Sequence, residues 1–340
     1  MLKFSGKKFI FIIVIYCVVN TVAADQKVDN HSNSSLLSRT LLLDAASREG
    51  TSILVGERGI VFSSKENSPW QIAQLPVSAT LTAVYLHDRN LGWAVGHDAV
   101  IFRTENGGED WQEMYSAPDD EIPLLDVWFN DENFGIAIGG YGLYLKTTNG
   151  GDSWIPQAMH VISMEDQNEN TENQDDLTES YDLHLNAIAQ SASGRIYIVA
   201  EAGRIYRSDD LGQTWLDLPS PYIGSFFGIL PLQDETVLVF GLRGHLYRSE
   251  DAGVSWTEVQ TNTREMLTNG LRLDDGRIVI VGMGGTILSS HDQGRTFTRR
   301  EFGHRNSYSA VIENSDSELI ITGDHGVETY TMQELGTANE

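Results

Sequence analysis

VGHDAVIFRTENGGEDW, from Val95 to Trp111, is a short strand, a tight turn, a second strand and a polar turn ending in tryptophan. Its first half recurs as VGERGIVFSS from Val55, IGGYGLYLKT from Ile138, VAEAGRIYRS from Val199, FGLRGHLYRS from Phe240, VGMGGTILSS from Val281 and TGDHGVETYT from Thr322. The second position of the segment falls at 56, 96, 139, 200, 241, 282 and 323, so five of the six gaps are 40 to 43 residues and the sixth, 61, holds an insertion. Self-similarity at such a period marks a chain built from one supersecondary unit, repeated.

The second half of the stretch recurs as well. It reads TTNGGDSW at Thr147–Trp154, SDDLGQTW at Ser208–Trp215, SEDAGVSW at Ser249–Trp256 and SHDQGRTF at Ser290–Phe297, with a shortened SKENSPW at Ser64–Trp70. Inside one repeat the apolar residues alternate with period two, which is the strand signature. The second repeat predicts strand A over Leu81–His87, B over Gly92–Val95, C over Val100–Thr104 and D over Trp111–Tyr115. Four short strands per repeat, seven times over, predict an all-β fold: a seven-bladed β-propeller of four-stranded antiparallel blades. Asn106, Asn149, Asp210, Asp251 and Asp292 stand in the C–D turns, where such side chains bond nearby backbone groups. Spread one per blade, they lie too far apart for paired acid–base work, so they read as turn-builders.

The domain boundaries follow from the same alignment. Residues 38–331 form the propeller, with an acidic, Asn-rich insertion at about 157–182 expected as a mobile loop, and 332–340 form a C-terminal tail. The seventh repeat stops before its outer strand. Residues 25–37 therefore form an N-terminal segment in which Ser34–Leu37 is expected to pair as the missing strand and hide an open edge; the alternative is a three-stranded last blade.

The first 24 residues read differently. Lys3, Lys7 and Lys8 precede an apolar run from Phe9 to Val19, and small residues at Ala23 and Ala24 precede the polar Asp25. This is the layout of a secretory signal peptide cleaved after Ala24. The apolar run falls short of the roughly 20 residues that span a bilayer. The expected location is periplasmic or secreted, with no membrane insertion after cleavage. Cleavage removes the one cysteine, Cys17, leaving a domain large enough to need no disulfide. It also moves the formal charge from −25 to −28, because three lysines leave. A surface so acidic repels phosphate backbones and anionic headgroups, which argues against nucleic-acid binding.

Strand order assigns the turns to two faces. A–B and C–D turns share one, called here the box face; B–C turns and the D-to-A crossings share the other, the crossing face. The unusual residues fall on the crossing face: Arg58, His97, Tyr141, Arg243 and His325 in B–C turns, and Tyr222 and Ile223 in the apolar crossing SPYIGSFF (Ser220–Phe227). Together these seven are the candidate partner-binding residues, with Tyr222 and Ile223 as an exposed sticky site and the arginines as receivers of an acidic segment. No catalytic residue, metal site or cofactor is expected. Asp166, Asn168 and Asn170 start like a calcium loop, but Thr171 stands where glycine is needed and Leu177 where glutamate is needed. The nine histidines form no HExxH, and nucleophile-elbow, P-loop and GxGxxG patterns are missing.

The NGG-x-x-W and D-x-G-x-x-W turns after strands such as LYRS and IFRT resemble the BNR/Asp-box repeat. With the VGxxG segments before them, the chain from Leu41 to Tyr330 resembles the photosystem II assembly and stability factor family of cyanobacteria and plastids. Phrases such as SLLSRTLLLDAA, PLLDVWF and SPYIGSFFGILPL are similar to a proteobacterial branch encoded beside RND-type exporters. The resemblance implies a non-enzymatic scaffold that binds a protein partner, such as a membrane transporter or an unassembled subunit. The competing expectation is a sialidase-like glycoside hydrolase or a carbohydrate-binding propeller, since Asp-box repeats also occur in sialidases. That chemistry needs several arginines converging on one carboxylate.

Overall fold

The structure is a computed structural model describing residues 35–164, 183–300, 302–314, 316–331 and 333–334. Residues 1–24 and the greater part of 25–37, of the 157–182 insertion and of the C-terminal tail lie outside the described residues.

Seven sheets form a closed ring. Blade 1 contains β1 (Leu42–Arg48), β2 (Thr51–Gly56), β3 (Ile60–Lys65) and β4 (Gln71–Gln74); blade 2 contains β5 (Leu81–Leu86), β6 (Gly92–Gly96), β7 (Ile101–Thr104) and β8 (Gln112–Tyr115). Blade 3 contains β9 (Leu124–Phe129), β10 (Gly135–Gly139), β11 (Tyr144–Thr147) and β12 (Ile155–Pro156). Blade 4 contains β13 (Val161–Ser163), β14 (Leu185–Gln190), β15 (Ile196–Ala200), β16 (Ile205–Ser208) and β17 (Trp215–Asp217). Blade 5 contains β18 (Phe226–Pro231), β19 (Val237–Gly241), β20 (Leu246–Ser249) and β21 (Thr257–Glu258). Blade 6 contains β22 (Leu267–Arg272), β23 (Ile278–Gly282), β24 (Thr286–Ser290) and β25 (Thr298–Arg300), and blade 7 contains β26 (Tyr308–Glu313), β27 (Leu319–Gly323) and β28 (Gly326–Tyr330). Each inner strand touches the next, and β26 touches β1, which closes the ring.

An apolar core fills each of the seven junctions between blades. Trp111, Trp154, Trp215, Trp256 and Phe297 each reach from the end of a C–D turn into the core shared with the preceding blade. Among the described residues blade 7 has no strand D, and Tyr330 packs in the core that it shares with blade 6.

Two polar ladders also tie blade to blade. Every inner strand carries a bulge near its start, and bulges re-aim side chains. Four bulged residues donate to the first carbonyl of the next inner strand: Thr82 to Leu124 at 2.7 Å, Asn186 to Phe226 at 2.8 Å, Thr268 to Tyr308 at 2.9 Å and Ser309 to Leu42 at 2.6 Å. The last of these crosses the seam between the two ends of the chain. The second ladder uses the third residue of strand C. Arg103, Lys146, Arg207 and Arg248 donate to backbone carbonyls of the next blade's C–D turn, at Gly150, Gly212, Ala252 and Gln293.

Close approach explains the recurring glycine that ends strand B. A Cβ on Gly56 would lie 2.0 Å from the Leu41 carbonyl oxygen, and one on Gly282 would lie 2.2 Å from that of Met266. Only blade 4 has a side chain there, Ala200.

Two blades depart from four strands. The insertion begins with order: Met159 is buried between blades 3 and 4, and β13 pairs parallel with β17 as a fifth strand. The alternating MHVIS sequence lets it cover the outer edge of blade 4, so residues 157–164 correct the expectation of a loop. The last sheet has three strands among the described residues, and residues 35–37 form a helical turn instead of a strand. The backbone amides of Arg39 and Thr40 both donate to Leu36 O at 3.0 Å, so local bonding replaces sheet bonding there. Leu37 packs with Val327 on the core between blades 7 and 1.

Candidate partner-binding face

The turns of the crossing face share one construction. Their first amide donates to the carbonyl just before the inner strand, as in Glu57 to Leu41 at 3.0 Å, His97 to Thr80 at 2.9 Å, Leu242 to Ser225 at 3.1 Å and Met283 to Met266 at 2.8 Å. In blades 1 to 5 the second residue is left-handed, with φ of 56° at Arg58, 60° at Asp98, 51° at Tyr141, 53° at Ala202 and 57° at Arg243. That places its side chain outward. His97 occupies the first position of its turn, and Asp98 the second.

The predicted residues are spread around this face. Arg58 is exposed, with Glu57 3.9 Å away. His97 is exposed too. Tyr141 is 61% exposed and meets His184 edge-on at 4.9 Å. His325 is exposed and lies 2.7 Å from Asp324. Tyr222 and Ile223 behave differently from each other. The Tyr222 ring turns inward, 4.2 Å from the His245 ring and 6.1 Å from Phe226, while Ile223 is 91% exposed. Of the two, only Ile223 is fully offered to solvent.

Of the predicted residues, Arg243 lines a large cleft. This cleft of about 1200 Å³ lies among the turns and crossings of blades 5, 6 and 7 and also presents Arg264, Arg299, Arg305, His245 and His304. Glu258 and Glu265 are its carboxylates, so four arginines face two glutamates in a chain whose formal charge is −25. Arg305 pairs with Glu265 at 2.8 Å. Among the described residues, Arg243 and Arg264 form no ion pair within 4.0 Å. Tyr222 packs its ring, tilted by 33°, against His245, a wall of the cleft. Sequence reading missed Arg264, Arg299 and Arg305. The available signal was an arginine in each of two consecutive crossings, QTNTREM and FGHRNS.

A polar cluster sits behind the cleft. The Tyr308 and Tyr330 hydroxyls lie 2.9 Å apart and each is within hydrogen-bond reach of Glu328, so their two protons serve these three contacts between them; Glu328 also accepts from Asn306. Burial alone would raise the Glu328 carboxyl, but hydrogen bonds from Tyr330, Asn306 and Tyr308 hold it below its ordinary range. Burial and the Glu328 charge push the Tyr330 phenol up to about 12. Tyr308 and Tyr330 are 3% and 7% exposed, with Phe302 packed 4.4 Å from Tyr330. Both phenols are covered, and neither lines the cleft. Among the described residues, no three His, Cys, Asp or Glu come together as a metal site.

The boxed acids and amides point elsewhere. Asn106 Oδ1 accepts from Asp110 N at 2.9 Å, and Asp251 Oδ1 from Ser255 N at 2.8 Å; Asn149, Asp210 and Asp292 repeat the pattern. The preceding Ser or Thr accepts from the box glycine, as in Gly108 N to Thr104 Oγ1 at 2.9 Å.

Comparison with known proteins agrees with this architecture. The chain resembles a YCF48 structure bound to D1 peptide, with a TM-score of 0.66 at 16% identity, over 87% of this chain and 94% of that one. YCF48 from Cyanidioschyzon merolae gives a TM-score of 0.66 at 14% identity over 86% and 96% of the two chains. A streptogramin B lyase gives 0.69 at 10% identity over 86% and 93%. These likenesses show the fold. A photosystem II assembly protein Ycf48 of Thermosynechococcus vestitus is 40% identical over 45 residues, a match spanning 13% of this chain and 13% of that protein. The sequence model of the photosynthesis system II assembly factor YCF48 matches residues 62–161 and 119–305, more than half of the chain, and the chain belongs to that family.

Proposed function

We propose that the protein is an exported, non-enzymatic scaffold that holds a carboxylate-bearing segment of a protein partner in the cleft of blades 5 to 7. The observation carrying this is the gathering of Arg243, Arg264, Arg299 and Arg305 around one cavity on an otherwise acidic chain. Guanidinium groups are weakly hydrated forks that match carboxylates, and two of them here meet no carboxylate of their own. A YCF48 structure bound to D1 peptide supports a peptide as the occupant. The basic and apolar first 24 residues support export, and with it a partner in the envelope: a subunit awaiting assembly, or an RND-type transporter.

The test uses chain 25–340 immobilised against solubilised envelope, beside the Arg243→Glu/Arg264→Glu variant. A specific partner retained by the unaltered chain, and lost at least tenfold by the variant or in high salt, supports the reading. Equal retention by both chains removes the cleft from it. Turnover of a sialoside would favour the glycosidase, and capture of glycans alone would favour the carbohydrate binder.

A further inference from the structure

Blade 6 breaks a pairing that the box face otherwise repeats. In blades 2, 4 and 5 the residue before the box is an arginine, the second residue of the box is an acid, and the two pair: Arg103 with Glu105 at 2.9 Å, Arg207 with Asp209 at 3.0 Å, and Arg248 with Glu250. Blade 6 has Ser289 and His291 at these positions. A second pairing changes with the first. Arg195, just before β15, reaches Asp209 at 3.0 Å. Its counterpart before β23, Arg277, has a histidine at 291 in place of that acid and bonds to Asp275 instead, Nε to Oδ2 at 2.7 Å.

His291 stands on the wall of a cavity of about 280 Å³ between the A–B turns of blades 5 and 6 and the box of blade 6. The other polar walls are Gln233, Arg272, Asp275, Arg277 and Gln293. Arg272 folds over its own turn, with Nη2 3.7 Å from where a Cβ on Gly276 would stand, and Gly276 is itself in the lining. Donors outnumber acceptors in this cup. Among the described residues, the side chains of Gln233, Arg272, His291 and Gln293 have no hydrogen-bond or ion-pair partner. The one carboxylate of the lining, Asp275, is engaged by Arg277, accepting from its backbone N, Nε and Nη2 at 3.0, 2.7 and 2.6 Å.

We propose that this cup binds a phosphate group, held by Arg272 and His291 together with the carboxamides of Gln233 and Gln293. A tetrahedral oxyanion accepts from several directions, and a guanidinium, an imidazole N–H and two amides set donors around one space. The volume suits a small ligand and not an extended peptide. The acidic surface does not forbid such a ligand. Exposed charges are screened over about 8 Å at physiological salt, so a small ion in the cup feels its own contacts first, while a polyanion feels the whole surface. Asp234 and Asp274, next in sequence to Gln233 and Asp275, lie outside the lining. The cup shares no residue with the cleft of blades 5 to 7, which lies on the crossing face.

Calorimetric titration of chain 25–340 with inorganic phosphate and with glycerol phosphate, in a buffer free of phosphate, tests the cup. Both should bind, and Arg272→Gln and His291→Glu should each weaken binding at least tenfold. The second substitution restores the acid that blades 2, 4 and 5 carry at this place. Arg243→Glu/Arg264→Glu, in the cleft, should bind phosphate as the unaltered chain does. Tighter binding of either compound upholds the site and tells a free ion from an organic phosphate as its occupant. Unchanged affinity in Arg272→Gln and His291→Glu, loss confined to the cleft variant, acetate bound as tightly as phosphate, or no binding at millimolar phosphate overturns the proposal. Should the variants fail to fold, the His291 ring resonances of the unaltered chain decide: movement on adding phosphate upholds the site, and no movement rejects it.

Discussion

The two faces of the ring carry turns that repeat with equal regularity and use their side chains in opposite ways. On the box face, Asp251 receives Ser255 N and the hydroxyls of Ser249 and Ser255, so its oxygens are consumed by its own turn. On the crossing face, the turn closes through the backbone of its first residue, and the left-handed second residue projects its side chain without using it to close the turn, as at Arg58, Tyr141 and Arg243. A side chain that closes its own turn is confined to a few residue types. A side chain that only projects can be any residue, and that freedom lets one face diversify while the other repeats.

Three substitutions grade this contrast. The largest effect belongs to the aromatic that ends a box. Trp215 is fully buried between blades 3 and 4, with its indole N–H toward Tyr144 Oη at 3.3 Å. Trp215→Ala should cost about 3–5 kcal/mol by chemical denaturation; a cost near 1 kcal/mol would mean that blades 3 and 4 hold together without it.

Next comes the acid that shapes the turn. Asp251→Ala leaves several donors of the turn without their acceptor and should cost about 2 kcal/mol. Burial alone would raise the carboxyls of Asp210, Asp251 and Asp292, but hydrogen bonds from their own turns hold them below the ordinary 3.8. Their stabilisation is therefore present above that value and is lost as pH falls through the lower folded one. Acid unfolding of the unaltered chain should begin below pH 4, and Asp251→Asn should flatten that limb. An unchanged acid limb would assign it to other carboxylates.

Smallest in stability is the crossing face itself. Arg243 is exposed and unpaired among the described residues, so Arg243→Ala should shift stability by less than about 0.5 kcal/mol. Its effect should appear in partner binding instead. A large loss of stability would place Arg243 with the interblade clamps Arg103, Arg207 and Arg248, and would erase the contrast between the faces.

Much of the fold was legible because repetition makes local signals add up. Seven VG-type segments and six box turns report the blade count, the strand order and the two faces before any contact is known. The arginines were harder to read. Arg103 and Arg207 sit on strands like any surface residue, and only the adjacent blade reveals that they clamp its turn. The insertion misled for a related reason: Val161–Ser163 is too short to declare itself a strand, and it became one because β17 offered an open edge.

Local chemistry in the sequence determined the turn-forming acids, the alternating strands and the period of the ring, because each depends on neighbours within about ten residues. Tertiary structure alone decided which arginines converge, that Asp44 reaches the backbone of blade 2 and that Ile223 stands out while Tyr222 folds in. Those outcomes depend on distances between residues some 20 to 60 positions apart, which only the closing of the ring sets.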